Sequence, residues 1–186
     1  MYMAKCPICD SRKGKRQCLI ADSPVCSLCC GNIRNPALCL GCRFYQKPKR
    51  RYSDVPAYSV TEMSGSMELE DYGNAIEGAL CAYDRENENK LRDSDAIRII
   101  ELLIDIYHYG DQKLDTDSRV VANGVKYVEE AIRKDLQDVS DEVIVKILAV
   151  IRFVAKRRTK IGREYMNIIH QYVGQRIDTD VRILRQ

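Results

Sequence analysis

Residues 6–42 read CPICDSRKGKRQCLIADSPVCSLCCGNIRNPALCLGC, and this stretch decides how the chain is organised. Its cysteines fall as Cys6-x2-Cys9, Cys18, Cys26-x2-Cys29, Cys30 and Cys39-x2-Cys42, eight of the nine in the chain. A two-residue gap lets the backbone turn so that both sulfurs reach one ion at ~2.3 Å. Three such pairs plus two further cysteines predict a metal-ligated module. Its apolar residues are scattered: Ile8, Leu19, Ile20, Val25, Leu28, Ile33, Leu38 and Leu40. A unit below about 40 residues cannot bury enough surface to fold unaided, and metal–thiolate bonds supply the missing cross-links.

Eight thiolates predict two structural zinc ions. Neighbouring side chains of an extended chain point to opposite sides, so Cys29 and Cys30 serve different ions. The preferred scheme gives Cys6, Cys9, Cys26 and Cys29 to one ion and Cys18, Cys30, Cys39 and Cys42 to the other. Exchange among Cys26, Cys29 and Cys30 stays open. An iron–sulfur cluster also takes four thiolates, and spacing alone does not separate the two; interleaved four-cysteine sets suit zinc better. A thioredoxin-like role would need a βαβ pattern around a CxxC, and none is present. Zinc with four protein ligands has no open position for water or substrate, so the module reads as structural.

The interleaving resembles cross-braced fingers of the HIT/MYND type, with two residues inside the first pair and eight between Cys9 and Cys18. Such fingers carry a cysteine three residues after the third, where this chain has Ala21, and a late histidine, which this module lacks. A closer resemblance is to a bacterial cysteine-rich module of the form CxxC, KGKRxC, [VI]CxxCCGxxR and a terminal cysteine pair. Here these are Cys6–Cys9, Lys13–Cys18, Val25–Arg34 and Cys39–Cys42. The resemblance covers about a quarter of the chain and implies zinc binding, with no activity attached.

Charge is unevenly spread. Residues 1–52 hold eleven Lys/Arg against two acids, a formal +9, whereas 53–186 hold nineteen against twenty-five, a formal −6. Eight thiolates on two dications leave the module at about +5. Two basic clusters stand out. Arg12, Lys13, Lys15 and Arg16 lie within the module, joined by Lys47, Lys49, Arg50 and Arg51 after it; the second cluster is Arg152, Lys156, Arg157, Arg158, Lys160 and Arg163. Such clusters neutralise phosphates, and Phe44, Tyr45 and Tyr52 offer stacking surfaces beside the first. The plain alternative for the second is the solvated face of a helix.

Residues 44–67, with Pro48, Pro56 and a Ser/Gly cluster, read as a linker between a 1–43 module and a 68–186 domain. From there the pattern is helical. Ser94 and Asp95 precede a dense apolar run from Ile97 to Tyr107, with Gly110 as the stop. Val121, Val125, Val128, Ile132 and Leu136 mark a helix after Asp115–Asp117, and Ser140 opens another carrying Val143 to Val154. A fourth covers about 163–174, and a weaker one about 69–86, interrupted by Gly73 and Gly78. The tail VRILRQ extends a helix or forms a short strand. The fold class expected is a small two-zinc cysteine-rich finger followed by an all-α helical bundle.

Glu101, Asp105 and His108 form a row on one helix face that suits metal binding or acid–base chemistry. The other positions of that helix are nearly all apolar, so the row also reads as its one wet stripe. His170 reads as a surface or core-edge residue and Cys81 as a packed thiol. No phosphate loop, dinucleotide fingerprint, nucleophile elbow or metalloprotease helix is present, so no enzyme is expected. The opening MYMAKCPICD has no signal-peptide core, and no apolar run approaches the ~20 residues of a membrane span. A cytoplasmic protein with no membrane partner is expected, under reducing conditions that favour metal over disulfides. The function expected is binding: the finger and its basic flank contact RNA, DNA or an acidic protein, and the helical domain gives a second surface. The alternative is a protein–protein adaptor, with the apolar helix 94–109 meeting a partner helix or a second copy.

Overall fold

The computed structural model describes residues 5–35, 37–39, 41–45, 50–160, 162–179 and 181–184. The chain divides into two units, Met1–Arg50 and Arg51–Gln186.

The first unit is built from tight turns. Strand β1 (Arg16–Cys18) pairs antiparallel with β2 (Ser23–Val25), setting Arg16 opposite Val25 and Cys18 opposite Ser23. Gly14 lies under this ribbon, where an added Cβ would stand 2.2 Å from the Pro24 carbonyl oxygen, so only glycine fits. An isolated antiparallel bridge joins Lys5 to Lys13, and α1 (Ser27–Asn32) follows β2 directly.

The second unit is helical, as the periodicity predicts. It contains α2 (Val60–Ser64), α3 (Met67–Glu86), α4 (Asp93–Tyr107), α5 (Arg119–Asp135), α6 (Asp141–Arg158) and α7 (Glu164–Tyr172). Serine hydroxyls cap three of them: Ser59, Ser66 and Ser118 accept from the amides of Glu62, Leu69 and Val121. Each satisfies an amide that the helix itself leaves without a partner. Helix α4 lies against α5 and α6, and α3 against α5, α6 and α7. The shared core includes Ile76, Leu80, Ile99, Ile100, Leu103, Val125, Val128, Ile147, Leu148 and Met166. At Gly124 an added Cβ would stand 2.4 Å from Ile99 Cδ1 and 2.8 Å from the Tyr83 ring, so α5 approaches α3 and α4 through a missing side chain.

Two expectations change here. Part of the segment read as linker is structured: Tyr52–Asp54 form a 3-10 turn, Val60–Ser64 a helix with a Ser59/Glu62 capping box, and Tyr52, Val55 and Tyr58 pack on the helical core. The tail takes the strand alternative. Strand β4 (Val181–Ile183) pairs antiparallel with β3 (Gln175–Asp178), and β3 lies along α3. Arg176 on the inner side forms a bidentate pair with Asp135. Among the described residues, no helix is long and apolar enough to cross a membrane.

Candidate metal centre

Two turns bring four cysteines together. In the first, the Cys6 amide donates to Arg12 O at 2.7 Å and the Asp10 amide to Cys6 O at 2.8 Å, closing a loop that aims Cys6 and Cys9 inward. Asp10 takes the left-handed conformation this requires, φ 47°, which a short polar side chain tolerates. In the second, Cys26 is the N-cap of α1: its Sγ accepts from the Cys29 amide at 3.4 Å and its carbonyl from the Cys30 amide at 2.9 Å. One helical turn then sets Cys29 beside Cys26.

The four Sγ atoms of Cys6, Cys9, Cys26 and Cys29 lie within 4.8 Å of one another. Four sulfurs ~2.3 Å from one zinc in a tetrahedron would be ~3.8 Å apart. The Cys9–Cys26 separation, 3.9 Å, meets that value. Cys6, Cys26 and Cys29 are buried and Cys9 half-buried, so the set is closed around its centre. The quartet therefore fits a tetrathiolate metal ion, zinc by the softness and number of its donors.

The thiols themselves titrate apart. Hydrogen bonds from the Ser11 side chain and from the Ser11 and Arg12 amides hold Cys9 down at about 5. Burial raises Cys6, but the amides of Cys26, Ile8 and Cys9 outweigh it and leave its pKa lowered. Cys29 is pushed up to about 12 by its hydrogen bond with Cys26, then by burial and by Cys9 and Cys6. Four thiolates so close repel one another, and a dication at their centre lets all of them deprotonate.

Among the described residues this is the one group of three or more Cys, His, Asp or Glu side chains gathered tightly enough to hold a metal. The ligand set of the first expected ion is thus met. Cys18, Cys30, Cys39 and Cys42 do not form a second such group. Cys18 is buried at the end of β1, whereas Cys39 and Cys42 share a turn closed by the Cys42 amide on Cys39 O, 3.0 Å. Cys30, half-buried beside Cys29 within α1, is not part of the quartet and meets the Arg16 guanidinium at 3.9 Å; the extended-chain geometry behind the expected division does not apply in a helix.

Of the basic residues expected to contact nucleic acid, Arg12, Lys13, Lys15 and Arg51 are exposed and Arg16 and Arg50 half-buried; Lys47 and Lys49 lie outside the described residues. The structure adds Arg43 and Arg34, which that list did not include. Arg43 and Arg16 both stand over the Phe44 ring, 4.7 and 5.3 Å from its centroid, and Arg34 stands over Tyr45 at 5.8 Å.

In the helical unit, Glu101 receives Arg152 Nε at 2.8 Å and faces Arg98 at 3.6 Å, while Asp105 accepts the Tyr52 hydroxyl at 3.1 Å. Burial, followed by the Asp105 charge, pushes Tyr52 up to about 12. His108 stands exposed at the end of α4 with its ring against Tyr109. Arg98, which donates to the Tyr52 hydroxyl at 3.3 Å, links Glu101 and Asp105 in one polar network that His108 does not join, and among the described residues the row forms no metal group. Cys81 is fully buried, as expected, but His170 is not at the surface. Its Nε2 lies 2.7 Å from the buried carboxylate of Asp84, which also receives both Arg163 terminal nitrogens and the Leu91 amide. Burial alone would raise Asp84; His170, Arg163 and the amide reverse that and hold it at about 2.

Comparisons with protein-family models, curated proteins and solved structures return no match for this chain.

Proposed function

We propose that this is a zinc-stabilised binding protein whose cysteine-rich unit contacts the phosphate backbone of a nucleic acid. The supporting observation is that the Arg16 and Arg43 guanidiniums both stand over the Phe44 ring, beside exposed Arg12, Lys13 and Lys15. A ring carrying two guanidiniums holds them close together against their mutual repulsion. That arrangement suits phosphates, which accept from planar guanidinium forks, better than base stacking. The zinc is structural in this reading, and the unit is not an enzyme. A second zinc on Cys18, Cys30, Cys39 and Cys42 belongs to the same proposal, supported by their spacing and by the absence of Cys30 from the first quartet.

The test is salt-dependent binding of a fluorescent oligonucleotide to the zinc-loaded chain. Exchanging Arg12, Lys13 and Lys15 for glutamate should weaken binding and flatten log K against log salt by about 2–3. Failure of the unaltered chain to bind at low salt rejects the reading.

A protein-directed adaptor is supported by a different observation: Leu19, Leu28 and Leu38 are each more than half exposed on the cysteine-rich unit. Such a contact would persist in high salt. The apolar residues of α4 are not available for it, because Ile99, Ile100, Leu102, Leu103 and Ile104 are buried in the bundle.

A further inference from the structure

We infer that the exposed C-terminal face of α6 is a second contact for the same nucleic acid, in single-stranded form; this rests on the proposed function and extends it to the helical unit. Helix α6 buries Ile144, Ile147, Leu148, Ile151 and Ala155 on one side. Opposite these, Phe153, Val154, Lys156, Arg157 and Arg158 are exposed, with Lys160 just beyond.

The sequence grouped six cations here, and the structure separates them. Arg152 is held by Glu101 and Arg163 by Asp84, so both are structural. Among the described residues, Lys156, Arg157, Arg158 and Lys160 form no ion pair, although their unit carries more acids than bases. The α6 dipole explains a preference for cations in the last turn. It does not explain a Phe153 ring 54% exposed among them, with the Arg157 guanidinium 5.3 Å from its centroid. That ring carries a cation and still exposes more than half its surface to a flat partner. Four cations with no acid of their own complement a polyanion, and an exposed aromatic ring complements an unstacked base. Duplexes keep their bases stacked, so the pairing of features selects a single strand.

The experiment uses the full zinc-loaded chain, a fluorescent oligouridylate, and phosphatidylserine vesicles in parallel. Phe153→Ala should weaken oligouridylate binding by about 5- to 100-fold. A variant carrying K156Q, R157Q, R158Q and K160Q should lower the slope of log K against log salt by about 2–3. Thermal melting checks both variants; if the glutamine variant melts early, Phe153→Ala alone decides. Unchanged binding in variants that fold, alongside a loss when Arg12, Lys13 and Lys15 are reversed, overturns this inference and leaves the proposed function standing. Lost vesicle binding with oligouridylate binding intact overturns it in favour of an anionic membrane. Absence of oligouridylate binding by the unaltered chain overturns both.

Discussion

The cysteine-rich unit and the helical unit fix their backbones with different materials. In the first, the buried cluster is Val25 with Cys6, Cys18, Cys26 and Cys29, so nearly every buried side chain is a thiol. In the second, a contiguous core runs from Val55 to Val173, and the buried charges are satisfied by protein partners. Asp93 shows how far that goes: its carboxylate accepts from the amides of Tyr165 and Met166 and from the Thr159 hydroxyl, capping α7 from the start of α4. The contrast is one of where stability resides. The first unit has little apolar core beside a four-cysteine group that could hold a metal; the second distributes its stability over many contacts, of which only a few are individually decisive.

Metal removal should break this contrast most sharply. Structural zinc contributes about 10–16 kcal/mol in small metal-folded peptides near neutral pH. Stripping the metal with a chelator should collapse the amide resonances of residues 5–45 in NMR spectra and leave those of 51–184 dispersed. Collapse of both sets together would show that the helical unit does not stand on its own core.

Within the helical unit the largest single loss should come from Asp84→Asn. It leaves buried His170 and half-buried Arg163 facing a neutral amide, and breaking a buried pair in this way costs about 3–5 kcal/mol. Denaturant unfolding measures it, with bound metal unchanged. The pH dependence has a definite sign. Asp84 has its pKa lowered to about 2 from 3.8, so its contribution is present above about pH 4 and is lost as pH falls towards 2.

Gly124→Ala should cost less, about 1–3 kcal/mol, because its methyl group must displace Ile99 and Tyr83. The same denaturant experiment reads it. Replacing exposed Gly31, where an added Cβ meets nothing within 4 Å, gives the matched control in the other unit.

The smallest effect concerns Glu77, whose carboxylate accepts the Tyr165 hydroxyl at 2.8 Å. Burial, only partly offset by that bond, pushes it up to about 7. The folded unit therefore holds a proton that the unfolded chain releases, and stability falls as pH rises from about 4.5 through 7. Fully shielded, such a shift would be worth about 3 kcal/mol; Glu77 is half-buried, so the decline should be about 1–2 kcal/mol, and Glu77→Gln should remove most of it in melts run between pH 5 and 8.

These residues also show what a sequence can disclose. The spacing Cys6-x2-Cys9 with Cys26-x2-Cys29 contains its own geometry, because each pair closes within one turn. Helices α3 to α7 were legible because their apolar periods are local, although Ser94 lies inside α4, whose N-cap is Arg92, and Ser140 caps α6 without a side-chain bond. Asp84, Asp93 and His170 were not legible, because their partners lie 66 to 86 residues away and only the packing of α7 brings them together. The segment 52–64 was misread because Pro56 and the serines resemble a linker, whereas Tyr52 and Val55 are fixed by a tertiary core. The basic run 152–163 looked uniform in sequence, and only its partners divide it into structural arginines and exposed cations.

The most direct test of the central claim, a tetrathiolate metal ion on Cys6, Cys9, Cys26 and Cys29, is native mass spectrometry of the intact chain beside Cys26→Ser. Bound zinc is expected in the unaltered chain, and one zinc fewer in the variant. A chain that carries no zinc, or a variant that keeps the full complement, would contradict it.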